Sequence, residues 1–81
     1  MNLSHPEPLL TRVLHINEAL IDPGAAKEAQ HFIEHGECGL GYDVLVFEIE
    51  EGRYMPTPEA LELIKQAAVS MNLIFPGLST G

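Results

Sequence analysis

Cations are scarce in this sequence. Four Lys and Arg stand against twelve Asp and Glu, giving a formal net charge of −8. Nucleic acid and anionic lipid would both be repelled by such a surface, so neither is an expected partner. Cysteine is scarcer still: Cys38 stands alone and cannot close an internal disulfide. The fold therefore has to rest on its hydrophobic core, which suits a reducing compartment. No apolar run approaches the roughly 20 residues that span a bilayer, and no basic stretch followed by an apolar one opens the chain. The expectation is a cytoplasmic protein without a membrane partner.

What is present is a normal apolar fraction, 46%, with charge spread along the chain rather than gathered in a tail. Residues 1–81 read as a single domain, able to bury only roughly 60–65% of the surface its unfolded form exposes. Such a core leaves little room for a deep substrate cavity. No repeat, linker or low-complexity segment interrupts it.

Proline and glycine divide the chain into four segments, placed at roughly 6–20, 23–35, 38–51 and 57–72. In the first, Ser4 offers a cap, and Leu10, Val13, Leu14, Asn17 and Leu20 recur at helical spacing as one buried stripe. Asp22-Pro23-Gly24 ends it and caps the second, where Ala25, Ala29, Phe32 and Ile33 share a face and Lys27, Glu28, Gln30 and Glu34 point outward. Gly36 stands where a left-handed residue would close that helix. The third segment, from Leu40 to Glu51, fits either period: "VLVFEI" has strand propensity, but no second strand exists to pair with it. It is read as a helix. The fourth carries Thr57 as N-cap, Pro58 in the first turn and Glu59 near the positive dipole end. Its apolar rows are Leu61, Ile64, Ala68, Met71 and Ala60, Leu63, Ala67, with Glu62, Lys65 and Gln66 outside. Residues 74–81 read as a loose tail. The fold class expected is all-α, a small four-helix bundle or orthogonal helical array.

Chemistry has few candidates in this chain. His31, His35 and Cys38 can be drawn as zinc ligands, yet a separated second ligand pair is missing. Otherwise His31 is a surface residue and His35 a helix-end imidazole facing the negative dipole. Cys38 lies among Glu34, Glu37 and Asp43, whose charges oppose a reactive thiolate. The pairs Glu48 with Glu51 and Glu59 with Glu62 read as solvated charge. Gly36, Gly39 and Gly41 follow no strand and do not make a phosphate loop. Gly39 and Gly41 instead would let another helix or a partner's backbone approach closely. No catalytic residue, cofactor or metal site is assigned, and the chain is not expected to be an enzyme.

The stretch "FIEHGECGLGYDVLVFEIEE" at 32–51, followed by "PTPEALELIKQAAVSMNL" at 56–73, resembles the MafI-type immunity proteins. These are small cytosolic partners of polymorphic toxins related to contact-dependent inhibition systems. The resemblance covers Phe32 to Leu73 and rests on His35, Gly36, Glu37, Gly39 and Leu40 and on the spacing to the last helix. It implies neutralisation by stoichiometric binding to a cognate toxin domain, frequently a nuclease. The acidic balance is consistent with that, because a nuclease presents basic residues to a polyanion.

Glu34, Glu37, Asp43, Glu48, Glu50 and Glu51 are the expected electrostatic contacts, and Tyr42 and Tyr54 the aromatic anchors. The plainer reading packs Tyr42 at a core edge and leaves the glutamates to solvate helices, while Tyr54, in a loop, is expected to be exposed. The alternative to immunity is an acidic helical interaction module or homo-oligomer subunit, such as one half of a homodimer. It would use an exposed patch among Val44, Val46, Phe47 and Ile49.

Overall fold

The computed structural model describes residues 5–75. Four helices follow in order: α1 (Pro6–Ile16), α2 (Pro23–Glu34), α3 (Cys38–Glu50) and α4 (Pro58–Ser70), with a 3-10 turn at Glu18–Leu20. No strand occurs among the described residues. The molecule is an all-α array in which α1 touches each of the other three helices, α2 packs chiefly on α3, and α4 packs chiefly on α1.

Local chemistry accounts for most helix ends. Asp22 accepts a hydrogen bond from the Ala25 amide at 3.1 Å, and Thr57 accepts one from Ala60 at 3.4 Å, each satisfying a free amide in a first turn that begins with proline. Ser4, expected to cap α1, lies outside the described residues; His5 precedes the helix without a side-chain cap. Three helices stop in the same way. Gly36, Gly52 and Asn72 all have positive φ, and each amide donates to the carbonyl three residues back while the next amide donates to the carbonyl five residues back, as in Glu37 N to Phe32 O at 2.7 Å.

The first helix is shorter than its apolar stripe predicts. It ends at Ile16, and Leu20, expected in the buried row, is 47% exposed. Asn17 leaves helical geometry because its side chain is held by another part of the chain, and Ile21, beyond the 3-10 turn, is buried in the core. The third segment is helical as expected. Residue 75 also departs from expectation: Phe75 is packed into the core, so the chain is pinned after α4 rather than loose from 74 onward. Residues 76–81 of that expected tail lie outside the described residues.

The core joins Leu10 and Val13 of α1, Ala29 and Ile33 of α2, Leu45 of α3, and Ala60, Ile64, Ala67 and Ala68 of α4. Five alanines, Ala25, Ala29, Ala60, Ala67 and Ala68, belong to this core, and their short side chains let helices come close. At Gly41 they meet more closely still: a Cβ there would stand 2.9 Å from Ile33 Cγ1 and 3.0 Å from the Ala29 carbonyl oxygen. Gly41 is thus the contact that lets α2 lie against α3. Gly39 faces open space.

These two glycines should respond oppositely to alanine. Gly41→Ala gains helix propensity but forces the α2 backbone away, and is expected to destabilise by about 1–2 kcal/mol net. Gly39→Ala meets nothing and should stabilise by roughly 0.5 kcal/mol. Urea midpoints at an unchanged slope would report both.

Candidate partner interface

The eight residues expected to meet a partner separate into two groups. Glu34, Glu37, Asp43, Glu50 and Glu51 are exposed. Glu34 ends α2 and accepts from Gln30 Nε2 at 2.9 Å; Glu37 precedes α3; Asp43 and Glu50, seven residues apart, lie along one line of α3. Tyr42, Tyr54 and Glu48 are buried, and these three expectations are corrected.

Tyr54 is 2% exposed although it belongs to the α3–α4 connection. Its hydroxyl donates to Asn17 Oδ1 at 2.7 Å, and the same oxygen accepts from the Thr57 amide at 3.2 Å. Asn17 Nδ2 completes the set by donating to Thr57 Oγ1 at 3.1 Å. The ring is therefore the inner end of a polar lock between α1 and the start of α4. Burial pushes the Tyr54 hydroxyl up from 10 to about 12. Tyr42, on α3, is 4% exposed, and its hydroxyl is buried without a hydrogen-bond partner. Burial first, then the charges of Asp43 and Glu50, raise its pKa.

Glu48 is held from outside. Arg53 Nε donates to Oε1 at 3.1 Å and Nη2 to Oε2 at 2.9 Å, a bidentate pair that covers a carboxylate only 7% exposed. The Gly52 turn, with φ of 78°, brings Arg53 back to that position. The hydrogen bonding that Arg53 donates to Glu48 is the first cause of its raised pKa. The guanidinium also lies 5.3 Å from the centre of the Phe47 ring and 4.0 Å from Glu51.

Between the exposed acids runs an apolar stripe. Leu40 is 45% and Phe47 53% exposed, with half-buried Val44 between them at i, i+4 and i+7. Of the patch expected from sequence, Phe47 is exposed, Val44 and Ile49 are half-buried, and Val46 is in the core. Leu40 and Arg53 were missed as parts of this surface. The 40, 44, 47 spacing interleaved with Asp43 and Glu50 carries the signal for the first; the turn that returns Arg53 has no signal beyond Gly52.

Cys38 is half-buried and its thiol is pushed up by burial, then by Glu7, rather than by the nearer acids in sequence. The His31 and His35 rings lie with centres 4.2 Å apart and planes tilted by 39°, and His35 Nδ1 lies 2.8 Å from the His31 carbonyl oxygen. Among the described residues no three His, Cys, Asp or Glu side chains are grouped to hold a metal ion. An open groove of about 810 Å³ between α1 and α2 has Leu14 and Ile33 beside Glu7, His15, Lys27 and Glu34. No helix among the described residues is long and apolar enough to cross a membrane.

Comparison with protein-family models, curated proteins and solved structures finds no match to this chain.

Two outcomes follow from the Asn17 lock. Asn17→Ala leaves the Tyr54 hydroxyl buried without an acceptor and should cost about 2–3 kcal/mol, whereas Tyr54→Phe, which leaves the Thr57 contacts in place, should cost about 1 kcal/mol. Denaturant midpoints measure both. The raised Tyr54 pKa also fixes the sign of the alkaline response. The unfolded chain releases this proton near the ordinary value of 10 and the folded one only near about 12, so the contribution is complete below pH 10 and is lost as pH rises between these values. Tyrosinate absorbance of the native protein should show both phenols titrating above the ordinary value of 10, with Tyr54 near about 12 and close to alkaline unfolding; an early, fully reversible titration of both phenols would contradict their burial.

Proposed function

We propose that this chain is an immunity protein of the MafI type: a non-catalytic binder that neutralises a cognate toxin domain, a basic nuclease, in the cytoplasm. The observation that carries the reading is the exposure of Glu34, Glu37, Asp43, Glu50 and Glu51 on a chain of net charge −8, four of them on or at the ends of the helix that carries the apolar stripe. A nuclease holds a polyanion and so displays basic residues, which this acidic surface complements. Complementary fields accelerate encounter toward about 10⁸–10⁹ M⁻¹s⁻¹ at low salt, an advantage for an inhibitor that must reach its toxin before substrate is cut.

The exposed acids supply the rate, and the half-exposed Leu40 and Phe47 supply apolar area to bury, which holds a complex once formed. Tyr42 and Tyr54 do not enter this version of the interface. The same apolar residues favour the second reading, a homo-oligomer or interaction module unrelated to toxins, in which they meet another copy.

Co-expression with the product of the adjacent reading frame separates the two. Immunity predicts a one-to-one complex in a pull-down and rescue of cells that the adjacent product alone kills. Self-association predicts a concentration-dependent mass and no rescue, and that result would overturn the proposal. Within a complex, the triple variant Glu37→Lys, Asp43→Lys, Glu50→Lys should slow association by about tenfold or more at low salt and flatten its salt dependence. Glu48 is left out of that variant because reversing a buried, paired carboxylate tests folding rather than binding.

A further inference from the structure

We propose that the outer face of α3 is a docking surface for a basic amphipathic helix, an inference that rests on the binding function above and assigns its surface and the chemistry of its partner. The face is built by a conflict within α3. Its inner side is claimed by Gly41 against α2 and by Tyr42, Leu45 and Val46 in the core, yet the outer side is apolar as well. A helix apolar on both sides has surface left to bury after the domain has folded. Leu40, Val44 and Phe47 recur at the spacing by which one helix anchors on another.

The charge around this stripe selects the occupant. Asp43 and Glu50 run along one flank, Glu37 precedes the helix and Glu51 follows it, all exposed. The cation that reaches the stripe, Arg53 over Phe47, is committed to Glu48 and Glu51. Of the other three cations, Arg12 bonds Glu59 of α4, Lys27 borders the α1–α2 groove and Lys65 belongs to α4. A second copy seated on this face would oppose acid to acid, at a cost in repulsion that the stripe alone must offset. A helix with leucine-like residues along one side and lysine or arginine beside them would meet the stripe with apolar area and the flank with opposite charge.

The probe is a peptide of about 18 residues, five turns, with leucine at i, i+3, i+4, i+7 spacing and lysine at the flanking positions; the control replaces every lysine by glutamate. Amide shifts of the labelled protein give the site, and titration gives the affinity. The leucine–lysine peptide should shift amides of α3 between 38 and 51, and the double variant Leu40→Ser, Phe47→Ser should weaken it by about tenfold or more. Val69→Ser, at an exposed apolar residue on α4, should leave affinity unchanged. Asp43→Asn with Glu50→Gln should weaken binding at low salt and reduce its salt dependence. All four altered side chains of these α3 variants are exposed, so folding is expected to persist and is checked by dichroism.

Shifts centred on the α1–α2 groove, equal binding of the glutamate peptide, or indifference to the Leu40 and Phe47 changes would each overturn the proposal. So would a dimer of the free protein abolished by Phe47→Ser, which would make a second copy the occupant. The assay contains no toxin, so the surface can fail while cell rescue holds, or hold while rescue fails.

Discussion

The carboxamide of Asn17 is the contact on which the arrangement of helices depends. It stands where α1 ends, and its oxygen accepts from both the Tyr54 hydroxyl and the Thr57 amide while its nitrogen donates to Thr57 Oγ1. Thr57 is itself the cap of α4. One buried side chain thus fixes the end of α1, the path of the α3–α4 connection and the first turn of α4. Its value lies in the alternative: a buried amide without partners is costly, so few other placements of these three segments satisfy it. The price appears in α1, whose helix stops a turn before its apolar pattern does, exposing Leu20.

A second constraint acts on the opposite side of the array. Gly41 lets the Ala29 carbonyl and the Ile33 side chain come within contact of the α3 backbone, because α3 presents no side chain of its own at this point. A close pair buries the inner sides of both helices well, but it also fixes the rotation of α3 about its axis. With Gly41 turned to α2 and Leu45 to the core, Leu40 and Phe47 are left about half exposed and Val44 only partly buried among the described residues. Their exposure is therefore a consequence of the α2–α3 contact rather than an independent feature of the surface.

Much of the fold was legible because it is written in local chemistry. Asp22 and Thr57 as caps, Gly36 as a terminator and the periodic rows of α2 and α4 depend on neighbours within four residues, and the sequence displays those neighbours. The helical state of α3 followed from a lack of any pairing strand rather than from propensity. What was not legible depends on distant partners. Tyr54 looks like a loop aromatic until Asn17, 37 residues away, is seen to take its hydroxyl; Glu48 looks like one more surface acid until the turn at Gly52 returns Arg53 to it. Leu20 and Phe75 exchange their expected environments for the same reason, since whether an apolar residue near a helix end is buried is settled by what folds over it. The exposed acids of the candidate site were identifiable from type and spacing, while its aromatic anchors were misplaced.

The Glu48–Arg53 pair also governs which charges remain available. A guanidinium held bidentate by a nearly buried carboxylate is not free to neutralise others, and its position over Phe47 keeps it at the end of α3. The ion pairs among the described residues consume Arg12 and Arg53 and leave Asp43 and Glu50 outside them. Charges of one sign on one helix add their fields instead of cancelling, and over the Debye length of about 8 Å at physiological ionic strength that field extends past the helix surface. Solvent and counterions satisfy it in the free protein. A cationic partner would release those counterions while covering the apolar stripe, so charge and apolar area, which oppose each other for a second copy, act in the same direction for a basic one.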